Sequence, residues 1–168
     1  MRYIGIVLIA LTFGGIGAVA AARVGKRCSS LSNILSFLKM FKVELRCSMS
    51  ETELLVYSAA ETMEQPPCFV EDFRLFAAEG ESIPNAWRSA VMKRRQELCL
   101  KRNEMDAVLQ LGGILGSYDA AGQTAAIDAA EIRLEEMYSS AQKECAQKVR
   151  LYRTLGMLGG AAAAIILV

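Results

Sequence analysis

Histidine is missing from all 168 residues, which removes the commonest general base and the commonest transition-metal ligand. No GxxxxGKS/T phosphate loop, GxGxxG turn, GxSxG elbow or HExxH pair occurs, so the motif-bearing nucleotide-binding, serine-hydrolase and zinc-protease classes are excluded. Five cysteines, Cys28, Cys47, Cys68, Cys99 and Cys145, are spread out without CxxC spacing. They read as reduced, half-buried thiols, neither a disulfide framework nor a metal site. There are three prolines and no alternating apolar-polar run long enough for a strand, so little interrupts helix. These absences predict no enzyme, no cofactor and no resident metal.

Charge is missing where it matters most. Tyr3 to Ala22 and Thr154 to Val168 carry none, and all 18 acidic residues lie between them. The first run has the length an α-helix needs to cross about 30 Å of hydrocarbon. The second is shorter and must begin inside the preceding helix, tilt little or stop short of the far surface. The reading is residues 1–25 and 153–168 as transmembrane anchors flanking a polar domain, 26–152. Arg23, Lys26, Arg27, Lys39 and Lys42 follow the first run with no acidic residue among them up to Val43, and Lys143, Lys148, Arg150 and Arg153 precede the second. A basic excess beside a membrane helix stays in the cytoplasm. The expected topology is therefore multi-pass, with the N-terminus outside and the domain in the cytoplasm. Ala18-Val19-Ala20 fits a signal-peptidase site, but the one-residue basic n-region and the basic cluster just beyond it argue against cleavage. Within the domain the charges balance, which excludes nucleic acid as partner.

The periodicity of the domain is helical. Leu31, Ile34, Leu35, Leu38, Phe41, Val43 and Leu45 define an apolar face after candidate caps Ser29 and Ser30. Ser50 caps a second helix that turns Leu54, Leu55, Ala59 and Met63 inward and stops at Pro66-Pro67. A third spans Phe69 to Glu79, ended by Gly80. A fourth, capped by Ser82 with Pro84 in its first turn, carries Trp87, Val91 and Leu98. The fifth runs from Asn103 to about Leu115, and Gly112, Gly113, Gly116 and the residues to Gln123 mark a break or turn, or close helix packing. A last helix starts near Ala125, carries Ile127, Leu134, Met137, Ala141, Cys145 and Val149 at helical spacing, and runs into the second anchor. The predicted fold is all-α, an antiparallel bundle of about six helices between two transmembrane helices.

Two sets of residues are candidates for function. Glu61, Glu64, Glu71, Asp72 and Asp119 sit at caps and turns, where carboxylates bind a basic partner surface or a divalent cation. Ala10, Gly14, Ala18 and Ala22 are spaced four apart, as are Gly156, Gly160 and Ala164, and small residues at that spacing let membrane helices approach closely. They predict contact between the anchors or with another membrane protein, with self-association left open. A second reading of the same carboxylates is a membrane-tethered bundle that senses a cation or small ligand, although no EF-hand loop is present.

Beyond these residues, the chain resembles the stage III sporulation protein AB family, within the wider group of type II secretion F-like platform proteins. The resemblance spans essentially the whole chain. It is carried by Glu44 through Pro66 with a turn before Thr52-Glu53-Leu54, by Ala86-Trp87, by Leu115-Gly116 followed by Asp119 and Gln123, and by Leu155-Gly156 with Gly159. The resemblance implies a platform or adaptor in the mother-cell membrane, part of the channel between mother cell and forespore during endospore formation. Its cytoplasmic bundle would engage a hexameric ATPase, stage III sporulation protein AA, alongside other membrane proteins of the same channel. Family patterns carry no exact contact residues to this chain.

Overall fold

Leu31, Ile34, Phe37, Leu38 and Phe41 recur at three- and four-residue steps, so a helix through them presents one apolar stripe. All five are buried in a computed structural model of the chain. The structure describes the backbone of residues 2–47, 52–115 and 120–167, and the side chains of 19–47, 52–115, 122–151 and 154. Among the described residues it is all-α: α1 (Arg2–Cys47), α2 (Thr52–Glu61), α3 (Val70–Ala78), α4 (Ile83–Lys93), α5 (Arg95–Leu98), α6 (Arg102–Leu115) and α7 (Ala120–Leu167).

The two long helices pack along each other. On α7 the buried residues Ile127, Leu134 and Ala141 repeat every seventh position, and on α1 Leu31 and Leu38 alternate with Ile34 and Phe41. A seven-residue repeat on both partners makes a coiled-coil-like seam. Lys39 pairs with Glu135 at 2.7 Å and Lys42 with Asp128 at 3.0 Å, with Glu131 facing both lysines. Partner numbers fall on α7 as they rise on α1, so the pair is antiparallel.

Of the smaller helices packed on this hairpin, α3, α4 and α6 meet at Trp87. Its indole is fully buried, and its ring centroid lies 4.9 Å from Phe69 and 6.0 Å from both Phe37 and Phe73. A buried indole N–H needs an acceptor, and Nε1 donates to the Val108 carbonyl at 2.8 Å. Gly112 lies against the ring on α6, so the glycine read as a break or packing position is a packing position inside the helix. Gly80 takes φ +90 and ends α3, with the Glu81 N–H donating back to the Phe76 carbonyl at 3.2 Å, the left-handed turn glycine adopts without steric cost.

Several expected boundaries differ. Ser29 and Ser30 do not cap a new helix: α1 is continuous through them, because no proline intervenes and Gly25, the glycine nearest them, is tolerated inside a long helix. The fourth helix divides at Arg94 into α4 and the short α5, giving seven helices among the described residues against the six expected. The last helix begins at Ala120, five residues early, as its alanine-rich start favours. Leu54 was expected inside and is 57 % exposed, and Val43 is exposed too. The core takes Leu55 and Val56 from α2 instead. Ser50 and Asp119 fall outside the described residues.

No helix is long and apolar enough to cross a membrane among the described residues. The packing positions Ala10, Gly14, Ala18, Gly156, Gly160 and Ala164 have no described side chains. What the backbone does show is that α1 and α7 run unbroken across both expected domain boundaries, at residues 25 and 153.

Candidate functional site: a charged clamp on the two long helices

Arg27, Ile34 and Phe41 occupy one seven-residue row of α1, and all three are buried. A guanidinium in that row costs several kcal/mol unless ion pairs and hydrogen bonds compensate it. Glu104, from the first turn of α6, supplies them. Arg27 Nε donates to Glu104 Oε2 at 2.9 Å and Nη2 donates to Oε1 at 2.5 Å, a bidentate fork. The Glu104 carboxylate also accepts the Lys101 backbone N–H at 2.8 Å, which closes the start of α6. The remaining Arg27 nitrogen, Nη1, reaches Glu144 on α7 at 2.7 Å, and Glu144 accepts from Lys101 and Lys148 as well, each at 2.6 Å. One arginine thus fastens α1, α6 and α7 together. Hydrogen bonds from Lys101, Lys148 and Arg27 hold the Glu144 carboxyl well below the usual carboxylate range, and Glu104 first, then Glu144, holds Arg27 protonated.

Next to the clamp, Cys28 of α1 meets Cys145 of α7, and burial together with that neighbour pushes the Cys28 thiol up. Both are free cysteines lining a groove of about 890 Å³ between the helices.

A second clamp fixes α3 to α4. Asp72 is 2 % exposed and accepts from Lys93 at 2.7 Å and from Arg94 Nε at 2.5 Å. This corrects the expectation of Asp72 as part of a partner-binding surface, since a buried carboxylate needs its cations for itself. Glu61, Glu64 and Glu71 are exposed on α2, on the following loop and on α3. The continuation of that loop, Gln65 to Cys68, lies against Lys26 to Asn33 of α1, near the Arg27 clamp. Asp119 belongs to the α6–α7 connection, outside the described residues. No group of three or more Cys, Asp or Glu among the described residues is placed to hold a metal ion.

Arg94 first, then Lys93, lowers the Asp72 carboxyl, as the lysines and Arg27 lower Glu144. Both carboxyls therefore bind protons more weakly folded than unfolded. Their contribution is complete above the ordinary carboxylate range near pH 4 and is lost as pH falls through the depressed folded values. The melting temperature should fall steeply below about pH 4, and Asp72→Asn should flatten that decline. An unchanged acid slope in the variant, measured by thermal denaturation across pH, would remove Asp72 as a contributor.

The sequence reading did not single out Arg27, although a basic residue in step with Ile34 and Phe41 was the available signal. What the fold and its charges define is a helical bundle with its buried ionic groups engaged in holding helices to one another. A family model, Stage III sporulation protein AB, matches residues 2–168. The chain belongs to the stage III sporulation protein AB family. It is 23 % identical over 164 residues to the Stage III sporulation protein AB of Bacillus subtilis (strain 168), covering 95 % of each chain. A solved structure of a Stage III sporulation protein AB superposes with a TM-score of 0.64 at 22 % identity, covering 72 % of this chain and 97 % of that one. It shares the fold.

Proposed function

We propose that this protein is a membrane platform of the channel between mother cell and forespore, coupling a cytoplasmic hexameric ATPase to the membrane assembly. Residues 1–25 and 153–168 are its anchors in the mother-cell membrane, the N-terminus lies outside, and 26–152 form the cytoplasmic bundle. The ATPase is the companion protein of the family, stage III sporulation protein AA. The observation that carries this reading is mechanical. Both apolar ends are continuations of α1 and α7, and Arg27 binds those two helices to α6 of the bundle. Force applied to the bundle therefore reaches both ends together. Continued at the same antiparallel register, Ala10, Gly14 and Ala18 come level with the stretch that holds Gly156, Gly160 and Ala164, which favours contact between the anchors. Glu61, Glu64, Glu71 and Asp119 are the acidic positions offered to a basic partner surface.

The full chain in lipid nanodiscs should bind the ATPase and change its turnover. Charge reversal at Glu61, Glu64 and Glu71 together should weaken binding about tenfold or more while leaving helicity intact, since exposed charges act on association more than on folding. No binding by the wild-type chain at low and moderate salt would defeat the adaptor reading. Topology is read separately from Cys47 and Cys68, the exposed thiols. A membrane-impermeant maleimide should label them only after permeabilisation, and labelling in intact cells would invert the orientation.

A further inference from the structure

Where α1 leaves the Arg27 clamp toward its apolar end, it passes the corner formed by α4, α5 and the start of α6. A pocket of about 960 Å³ opens there, lined by Arg23, Lys93, Arg95 and Gln96, with Met92, Cys99 and Leu100 completing it, and none of these residues is acidic. Cys99 makes the corner with φ 54, turning the chain sharply between α5 and α6. Lys93 is engaged by Asp72 and lies over the Phe76 ring at 5.4 Å. Arg23 and Arg95 are exposed and have neither an ion pair nor a hydrogen bond among the described residues.

The surplus of positive charge is local. The chain as a whole has a net charge of +1, yet the carboxylates near this corner are already taken: Glu97 by Arg94, Glu104 by Arg27, and Glu144 by Arg27, Lys101 and Lys148. Two free guanidinium groups bordering one pocket match the oxygens of a phosphate diester, which planar forks bind bidentately. The wall also carries apolar surface, since Met92 is 45 % exposed, as a site for a phosphate joined to hydrocarbon requires.

We infer that the Arg23–Arg95 pocket binds the phosphate headgroup of an anionic phospholipid. The choice of a lipid over free phosphate rests on reading Tyr3 to Ala22 as an anchor, because Arg23 is the residue that follows that run and would stand at headgroup depth. The pocket would hold the bundle corner against the membrane surface and so fix the angle at which α1 emerges.

The test is native mass spectrometry of the full chain in neutral detergent, incubated with equal amounts of dioleoyl phosphatidylglycerol and dioleoyl phosphatidylcholine, and separately with inorganic phosphate. The wild-type chain should retain the glycerol lipid at least tenfold over the choline lipid. Arg23→Gln with Arg95→Gln should reduce that retention by roughly 25-fold, at about fivefold for each arginine near an anionic headgroup. Arg46→Gln with Arg74→Gln, exposed arginines near the end of α1 and on α3 that do not line the pocket, should leave it unchanged. Retention that survives the first pair of substitutions, or falls equally with the second, overturns the site. Binding of inorganic phosphate without preference for the anionic lipid overturns the lipid assignment. Alkaline carbonate extraction of membranes tests the anchor independently, so failure of the pocket and failure of the membrane reading give different results.

Discussion

Replacing Arg27 with methionine should lower the free energy of unfolding by about 3 to 5 kcal/mol, the usual cost of removing one partner from a buried ion pair. The side chain of Arg27 is 8 % exposed and that of Glu104 is 2 % exposed, so water cannot replace the lost partner. Glu104 would keep the Lys101 N–H alone, and Glu144 would keep Lys101 and Lys148. In a chain of this size the loss corresponds to a fall in melting temperature of roughly 10 °C, measurable in detergent by circular dichroism. The double variant Arg27→Met with Glu104→Met should recover most of that loss, because an apolar pair of similar volume carries no desolvation penalty. The two substitutions are in contact, so their effects should not add. A single-variant cost below about 1 kcal/mol, the range of an exposed pair, would mean that the clamp is not needed for stability.

A comparable loss is expected from Gly112→Leu, by a different route. A Cβ built on Gly112 comes to 2.7 Å from Trp87 Cδ1, 2.9 Å from Cγ and 3.0 Å from Cβ. The ring has nowhere to go, because its N–H is held by the Val108 carbonyl and Phe69 meets it edge-on. Overpacking of this kind costs about 3 kcal/mol. The neighbouring Gly113 is the control: nothing lies within 4 Å of its built Cβ, so Gly113→Ala should stabilise the helix by about 0.5 to 1 kcal/mol. Since Trp87 is the chain's one tryptophan, its emission reports the packing directly. Gly112→Leu should shift it to longer wavelength and Gly113→Ala should not. Equal stability of the two variants would show that α6 can move away from the indole at little cost.

Helix identity and most of the core could be read from periodicity, because a 3.6-residue repeat fixes which side chains share a face whatever the neighbours are. Trp87, Val91 and Leu98 are inside as expected, and so are Ile127, Leu134 and Ala141. Helix ends were harder to place. Ser29 and Ser30 have the chemistry of caps, yet α1 passes through them, since a serine inside a helix is penalised by only a few tenths of a kcal/mol. The ionic groups were least legible. Asp72 and Glu71 are adjacent acids with the same local pattern, but one faces Arg94 and the other faces water. That distinction depends on where α4 ends relative to α3. In the sequence Arg27 reads with Arg23 and Lys26 as flanking charge, whereas one turn of helix separates the exposed Arg23 from the buried Arg27.

The seven-residue seam of α1 and α7 has a mechanical consequence. A pair meshed in this way behaves like a toothed rack: sliding one helix along the other finds the next matching register only after a full repeat, about 10 Å away. Smaller displacements would separate Lys39 and Lys42 from their carboxylates at one level and Arg27 from Glu144 at another. The hairpin can tilt, rotate or bend as a single rod, but its two strokes cannot be out of phase.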